Sequence, residues 1–373
     1  MNKRITSASP SITQHEIDLV NEAIKFGWGD KMNFYIEQFV NEFSNYIGIE
    51  YTLPVAHCTD AIHLAMLALG IGPNDEVIVP DLTWVASASP ILYVGATPVF
   101  ADVDPVSFCI TAESIEKNIT TRTKAVVVVD LLGNMPDWDE IIDLCNKRNI
   151  LIIEDAAESI GASYKGRNAG TFGHVSLFSF NATKLIQSGQ GGAFCTNHKS
   201  YFDKAKLHSH HGIDKSQNGK YYWSSILGYN YNWTNIQAAL ALAQLRRIED
   251  LIKYKLWLFE KYKSGLEGID GITLSDVKKD VFNTRWINTV IIDPKYNLVK
   301  EDMIELFSTY NIDMRPLFYP ISDMPPFSNF IKSSNNTPIS HQISKYGICL
   351  PNGNNLTEID VMKICNTFKE ILK

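Results

Sequence analysis

The sequence predicts an α/β fold in which a mostly parallel sheet is flanked by helices, followed by a smaller α+β domain. From residue 51 to about 195, short β-branched runs alternate with helical patterns, which is typical of parallel strands joined by crossover helices. The apolar run Leu151-Ile152-Ile153 ends in two acids, as a buried parallel strand does when it delivers polar groups at its carboxyl end. Beyond Gly268 the spacing of the pattern changes, which indicates a second unit.

Length, charge and cysteine usage restrict the class of protein. The 373 residues suffice for two domains with proper cores, and the net charge of −7 argues against nucleic acid as the main partner. No apolar run approaches the roughly 18 residues of a membrane span, and the first residues lack the apolar segment of a signal peptide. The six cysteines have no metal-ligand spacing, so we predict a cytoplasmic protein with reduced thiols and no bound metal.

The first part of the chain begins with an arm and two helices. Thr13 and Glu16 are spaced as a capping box at the start of the first helix, and the second helix ends at Gly48. The alternating part then contains these predicted elements: a helix at 61–69, strands at 76–80, 98–102 and 125–132, a helix at 137–147, and strands at 151–153 and 175–180.

A long helical pattern at 230–266 leads out of this part. Its first half is apolar nearly all round and its second half is amphipathic, as expected of a helix that bridges two domains. The elements predicted after it are a strand at 287–292, a helix at 300–310, a proline-rich loop at 315–326, a surface loop at 332–336 and a helix at 357–372. We therefore place an N-terminal arm and large domain at 1–245, and the bridging helix and small domain at 246–373.

Polar groups follow the two central strands. Asp155 ends one strand, Ser179 lies at the end of the other, and Lys184 sits on a short turn beside them, before a cluster of glycines. Pyridoxal phosphate (PLP) needs a lysine for its aldehyde, an aspartate against its ring nitrogen, and hydroxyl or N–H donors for its phosphate. A lone lysine is usually a solvated surface group. The coincidence of all three signals favours a cofactor site, with Lys184 as the group that moves the proton.

Two further residues suit the same cofactor. Thr59 lies near the predicted N-terminus of a helix, which would be an anion site for the phosphate or, equally, a plain helix cap. Trp84 follows the carboxyl end of a strand, where its ring could stack on the pyridine ring.

Seven stretches spread over nearly the whole chain carry a family resemblance: ALGIGPNDEVIVPDLTW, GATPVFADVDP, TRTKAVVVVD, IIEDAAESIGASYKGRNAGTFG, FSFNATK, GYNYNWTNIQAALALAQLRRI and RPLFYP. Together they resemble the sugar aminotransferases of the DegT/DnrJ/EryC1/StrS family, and perosamine-synthase-like members in particular. The resemblance implies the aspartate-aminotransferase fold (fold type I), with a mostly parallel seven-stranded sheet, and PLP as the cofactor.

The resemblance also assigns roles to residues. Lys184 matches the Schiff-base lysine, Asp155 the partner of the ring nitrogen, and Glu158 a side chain near the ring hydroxyl. Asn230 matches an asparagine that reaches the phosphate from the neighbouring subunit, which implies a homodimer with shared active sites. The remaining matches are the stacking Trp84, the phosphate-site residues Cys58, Thr59 and Ser179, and, in the RPLFYP stretch, Arg315 and Tyr319 as substrate-binding residues.

The activity implied is a ping-pong transamination. L-glutamate gives its amino group to the cofactor, leaves as 2-oxoglutarate, and the resulting pyridoxamine phosphate (PMP) form aminates a keto-sugar. The expected acceptor is a nucleotide-linked 4-keto-6-deoxy sugar, as in GDP-perosamine synthesis for surface polysaccharide.

Other readings stay open for the acceptor and for the reaction. An enzyme whose acceptor is a non-nucleotide ketone or aldehyde, such as a keto-octulosonate or a small phosphorylated ketone, would have a similar sequence pattern. A sugar dehydratase or a non-enzymatic regulatory relative is disfavoured by Lys184. The chain departs from the family at Asp130, Gln190, Asn232 and Ser322, as well as at Cys58.

Overall fold

The computed structural model describes residues 4–214, 221–330 and 337–373. The surface loop predicted at 332–336 lies outside these residues. The strands, in chain order, are β1 (Tyr51–Val55), β2 (Glu76–Pro80), β3 (Thr97–Ala101), β4 (Thr123–Val129), β5 (Leu151–Asp155), β6 (Ser163–Tyr164), β7 (Arg167–Asn168), β8 (Val175–Ser179), β9 (Gly192–Thr196), β10 (Ile272–Leu274), β11 (Val281–Phe282), β12 (Thr289–Ile292), β13 (Arg315–Pro316) and β14 (Gly347–Cys349).

The α-helices vary from one turn to five. In chain order they are α1 (Gln14–Phe26), α2 (Phe34–Ile47), α3 (Cys58–Ala68), α4 (Ser89–Tyr93), α5 (Ala112–Glu116), α6 (Trp138–Arg148), α7 (Lys199–Ser209), α8 (Asn235–Leu245), α9 (Ile248–Leu266), α10 (Lys300–Thr309), α11 (Pro338–Tyr346) and α12 (Glu358–Ile371). The predicted start of α1 is confirmed, since the backbone N–H of Thr13 donates to the Glu16 carboxylate over 2.7 Å. None of the helices within the described ranges has the length and apolar character needed to cross a bilayer.

The central sheet confirms the predicted fold class. Among the described residues it has seven strands in the order β1-β9-β8-β5-β4-β2-β3. The five strands from β8 to β3 run parallel, while β9 is antiparallel to both of its neighbours. The parallel strands are apolar and buried on both faces, as expected of strands joined by crossover helices.

Alternation along two neighbouring strands aims the polar groups at one face. Ile153 of β5 and Leu177 of β8 belong to the apolar cluster that packs under α3. Because side chains two residues apart point to the same face of a strand, Asp155 and Ser179 lie on that face as well. Helices α1, α2 and α8 cover the opposite face, where Phe178 packs.

The C-terminal part forms its own layer. Strands β10, β12, β14 and β13 make an antiparallel sheet in that order, and α9 and α12 pack beside it. One strand of this part, β11, pairs instead with β6 of the first part, so the chain crosses back after α9. The domain division at residue 245/246 stays a prediction.

The predicted helix at 230–266 is wrong in its extent. Residues 230–233 precede the N-cap Thr234, and two helices follow, with a break between α8 and α9. At the break, Arg247 leaves helical geometry, and its guanidinium lies 3.0 Å from the buried carboxylate of Glu16. A charge pair with a residue more than 200 positions away therefore accompanies the end of α8.

Four predicted strands are also shorter than expected at one end, and one of them is β3, which ends at Ala101 instead of residue 102. β8 ends at Ser179 instead of residue 180, and β12 begins at Thr289 instead of residue 287. β4 ends at Val129, and in the turn that follows Leu132 adopts a left-handed backbone (φ 58°). That conformation lets the Leu132 N–H donate to Glu158 over 2.9 Å, so the strand ends where the backbone turns toward the site.

Candidate active site

A cavity of about 370 Å³ opens at the carboxyl ends of β5 and β8, where α3 begins. Its volume lies within the range of about 300–1,000 Å³ that is usual for small-molecule sites. Seven of the residues singled out from the sequence line it: Cys58, Thr59, Trp84, Asp155, Glu158, Ser179 and Lys184. The strand-end position predicted for the site is the position that the fold gives it.

Asp155 forms the buried acidic wall of the cavity. Its carboxylate accepts hydrogen bonds from the hydroxyl of Ser87 (2.7 Å) and from the backbone N–H of Ala157 (3.2 Å). Burial raises the pKa of the Asp155 carboxyl above its ordinary value, although both hydrogen bonds act in the opposite direction. A cation placed against this carboxylate would offset the cost of burial, and a protonated ring nitrogen is such a cation.

Lys184 projects from the turn after β8 into the same cavity. Its Nζ donates to Oε1 of Glu158 over 3.1 Å, and both side chains are largely buried. The other oxygen of Glu158 accepts the Leu132 N–H described above, so the acid is held from two sides. The turn itself closes through a 2.9 Å hydrogen bond from the Lys184 N–H to the carbonyl of Asn181.

The start of α3 forms a second, electropositive wall. Cys58 and Thr59 are its first two residues, and the first N–H groups of a helix have no partner within the helix. A Cβ on Gly192 would lie 2.5 Å from the Cys58 nitrogen, so the lack of a side chain lets β9 lie against this helix end. Ser179 adds a hydroxyl. Burial raises the pKa of the Cys58 thiol, which therefore stays neutral.

Aromatic side chains line the open side. Trp84 is 58% exposed, and its ring centroid lies 6.1 Å from that of Phe318 at a tilt of 55°. Both rings face the cavity. Trp84 would therefore lie beside a flat heterocycle bound against Asp155.

Three predicted residues do not line this cavity. Asn230 is exposed and accepts a 3.0 Å hydrogen bond from Asn232. Arg315 donates to the Ser7 hydroxyl over 2.9 Å, and Tyr319 donates to Glu301 over 2.7 Å. The structure of a single chain therefore gives these side chains other partners, and their roles stay predictions.

The departures from the family fall into two groups. Gln190 lines the cavity and accepts from Asn181 over 3.1 Å, whereas Asn232 contacts His210 over 2.9 Å outside it. Asp130 and Ser322 are structural in this chain: Asp130 accepts from Ser159 over 3.0 Å, and the Ser322 hydroxyl donates to buried Asp81 over 2.8 Å.

Sequence reasoning missed several cavity residues, of which Ser87 and Trp286 contact the central side chains. Ser87 lies in a short turn after β2 and Trp286 between β11 and β12, and each contacts a central residue from a distant part of the chain. Their positions follow only from the tertiary fold, so no local spacing could have revealed them.

The donor set fits PLP. A buried acid whose hydrogen bonds come from a hydroxyl and a backbone N–H suits the ring nitrogen, and a lysine projects into the same cavity. A helix N-terminus with a nearby serine suits the phosphate. One cavity therefore offers groups suited to the phosphate on one side and an acid suited to the ring nitrogen on another.

Comparisons with known proteins agree with this site. The model of the DegT/DnrJ/EryC1/StrS aminotransferase family matches residues 10–369. The GDP-perosamine synthases of Escherichia coli O157:H7 and Vibrio cholerae are 37% and 35% identical to the chain; the alignments cover 99% and 96% of this chain, and 98% and 97% of those proteins.

A solved structure with a similar fold carries the cofactor. Spr1654 from Streptococcus pneumoniae, assigned as a sugar aminotransferase, superposes with a TM-score of 0.91 at 26% identity, over 98% of both chains in its PMP form. It is also solved in a PLP form. The chain therefore belongs to the DegT/DnrJ/EryC1/StrS aminotransferase family, which confirms the resemblance found in the sequence and identifies the protein as an aminotransferase.

Proposed function

We propose that this chain transfers the amino group of L-glutamate to a nucleotide-linked 4-keto-6-deoxy sugar, in the manner of a GDP-perosamine synthase. The predicted cofactor, PLP, is confirmed by the family and by the solved relative that carries it. Support for the acceptor comes from the relatives named GDP-perosamine synthase, which align over nearly their whole length. The observation that carries the proposal is that the Lys184 amine contacts Glu158 in the cavity that the buried Asp155 also lines.

Each residue has a distinct task in this reaction. When bound, PLP supplies an electron sink for the carbanion that forms at the donor or product carbon. Asp155 keeps the ring nitrogen charged, Lys184 removes and returns the proton at the reacting carbon, and Glu158 holds the free amine. Thr59 and Ser179, at the start of α3 and the end of β8, bind the phosphate.

The site is shared between two subunits in this proposal. Asn230 lies on the surface and outside the cavity of its own chain, which leaves it available to a partner's phosphate. A two-fold dimer would supply that contact twice.

The amino sugar would be made in the cytoplasm for a surface polysaccharide. Arg315 and Tyr319 would contact the sugar substrate.

A panel of acceptors tests the proposal. The pyridoxamine-loaded protein is mixed with 4-keto-6-deoxy sugars linked to GDP, dTDP or UDP, with a keto-octulosonate, and with a small phosphorylated ketone. Return of the yellow pyridoxal form is followed, with Lys184→Ala as the control. We expect the nucleotide-linked sugars to react, and the GDP-linked one fastest. Reaction with a non-nucleotide ketone alone would show that the acceptor is wrong, and reaction with none would reject a sugar aminotransferase.

A further inference from the structure

Trp286 contacts Lys184 in two ways. The Lys184 Nζ lies 3.8 Å from the centroid of the Trp286 ring, within the distance of a cation–π interaction. The indole N–H donates over 2.8 Å to the carbonyl of Thr183, the residue just before the lysine. Trp286 is 5% exposed and forms part of the cavity wall. One buried side chain therefore holds both the amine and the turn from which it projects.

Chain proximity does not explain this contact. Several other lysines lie over the ring of a sequence neighbour, among them Lys165 over Tyr164 at 5.1 Å and Lys295 over Tyr296 at 5.2 Å, whereas Lys300 lies 3.4 Å over Tyr319 of a separate element. Trp286 and Thr183 are 103 residues apart. The separation in sequence and the burial of Trp286 indicate an arrangement built by the tertiary fold.

The backbone before Trp286 is held in an unfavourable conformation. Arg285 has φ 57°, and its N–H donates to the Asn283 side chain over 2.6 Å. The Arg285 guanidinium stacks 3.6 Å over the ring of Phe259. A left-handed arginine persists only where its surroundings fix it. Here those surroundings fix the residue that directs Trp286 toward the lysine.

Asn283 and Thr284, which precede Arg285 and Trp286, are tightly packed against two glycines. A Cβ on Gly133 would lie 2.7 Å from the side-chain oxygen of Asn283, and a Cβ on Gly161 would lie 3.2 Å from the Thr284 methyl group. Both glycines have positive φ values. The segment that precedes Trp286 thus packs directly against the turn after β4 and the loop after β5, the same region that carries Glu158.

We propose that Trp286 is a positioning residue for the Lys184 amine. Its ring face and the Glu158 carboxylate both attract an ammonium group, and they contact the same Nζ at 3.8 and 3.1 Å. The amine must leave the cofactor in the first half of the reaction and return to it only at the end of the second half. Together the two groups keep the released amine within reach of the reacting carbon. This inference rests on the proposed role of Lys184.

Two substitutions separate the two contacts. Trp286→Phe keeps a ring face and loses the N–H bond to Thr183, whereas Trp286→Leu loses both. Trp138→Phe and Trp138→Leu are matched controls, because Trp138 is fully buried against Phe172, away from the cavity. For each protein we measure the rate at which added PLP becomes linked to Lys184, the affinity for PLP, and kcat and KM for L-glutamate.

The expected result is a graded loss in attachment and turnover. Trp286→Leu should slow covalent attachment and lower kcat by about tenfold or more, the size of a desolvated cation–π contact, while PLP affinity and KM stay within about twofold. Trp286→Phe should recover most of the attachment rate. The Trp138 variants should lower thermal stability and leave both rates unchanged.

The outcomes that would contradict the role of Trp286 differ from the outcome that would contradict the proposed function. Attachment by Trp286→Leu at the wild-type rate would overturn the proposal, as would equal losses in the Trp286 and Trp138 variants that follow stability alone. If Trp286→Leu does not fold, Trp286→Phe decides: a modest loss of attachment rate that Trp138→Phe does not share supports the proposal, and the absence of such a loss overturns it. Absence of any PLP linkage to Lys184 in the wild-type protein would instead reject the proposed function itself.

Discussion

The Ser87 hydroxyl donates a 2.7 Å hydrogen bond to Oδ2 of Asp155, and both residues are buried. Ser87 lies in the turn after β2, while Asp155 ends β5, with β4 between these two strands in the sheet. The bond therefore ties the carboxylate to a separate strand end. It leaves the Asp155 carboxylate directed at the position proposed for the ring nitrogen.

Loss of this bond should impair the reaction without unfolding the protein. A hydrogen bond to a charged group contributes about 1.5–3 kcal/mol. We therefore expect Ser87→Ala to lower kcat by roughly tenfold and to weaken PLP binding, as measured by steady-state kinetics and cofactor titration. Ser89→Ala is the control, because the Ser89 hydroxyl donates only to the Val85 carbonyl over 3.1 Å. Equal effects of both substitutions would contradict a specific role for Ser87.

Asp155→Asn should separate binding from catalysis. The amide keeps an acceptor for Ser87 but removes the charge that keeps the ring nitrogen protonated. We expect PLP to bind with little change while kcat falls by ~10²–10⁴. Turnover close to that of the wild type would show that another group supplies this charge.

A buried pair of acids behind the site predicts a dependence of stability on pH. Asp130 and Glu154 are fully buried, and Glu154 accepts N–H bonds from Phe172 (2.7 Å) and Gly173 (3.0 Å). Burial raises the pKa of Glu154 to about 7 and raises the pKa of Asp130 well above its ordinary value. Since Glu154 has the N–H donors, Asp130 is the member of the pair that keeps its proton.

The sign of the effect follows from proton uptake. Near neutral pH the folded pair holds protons that unfolded carboxyls, with pKa values of about 4, have lost. The free energy of unfolding should therefore fall as the pH rises from about 4 through 7. Asp130→Asn, which mimics the protonated acid, should make this fall shallower.

Urea unfolding at about pH 5 and about pH 8 measures the slope for both proteins. The control is Asp139→Asn, because Asp139 is an exposed carboxyl whose pKa is lowered by Lys165 and which is ionised at both pH values. Its slope should equal that of the wild type. An unchanged slope in Asp130→Asn would refute the protonated state assigned to Asp130.

Asn230 gives a test of the shared site. Lys184→Ala and Asn230→Ala chains are each purified, combined in equal amounts, and allowed to exchange subunits. In a mixed dimer, the intact Lys184 of one chain meets the intact Asn230 of the other. One complete site is then restored, and we expect activity to rise toward about a quarter of the wild-type value.

A mixture that shows only the average of its two parents would indicate that Asn230 acts within its own chain or not at all. The companion mixture of Lys184→Ala with Asp155→Asn is the control. Both of these residues line one cavity in one chain, so their mixed dimers should restore no site.

The sequence was informative where the local pattern determines the position of a residue. Asp155 and Ser179 were assigned to the ends of β-branched runs, and the parallel sheet necessarily brings such ends to one edge. Lys184 follows within a few residues of Ser179. The fold class and the positions of Asp155, Ser179 and Lys184 could therefore be predicted before any tertiary contact was known, whereas Cys58 and Glu158 followed only from the family resemblance.

Long-range contacts set the rest. The break between α8 and α9 involves Arg247 and Glu16, and the turn after β4 brings the Leu132 N–H to Glu158. Helix and strand propensities continue through both points, so the pattern alone extends each element too far. Trp286 could not be predicted for the same reason, since its partner Lys184 lies in another part of the chain.

The most direct measurement of the central claim is the site of cofactor attachment. The protein is loaded with PLP, reduced with borohydride, digested and mapped by mass spectrometry, with Lys184→Ala treated in parallel. We expect the wild-type protein to carry the cofactor on Lys184, because this lysine lies in the cavity beside Asp155 and Glu158. Lys184→Ala should fold normally and carry no covalent cofactor. Cofactor on a different lysine, or an equal amount of covalent label in Lys184→Ala, would contradict the account.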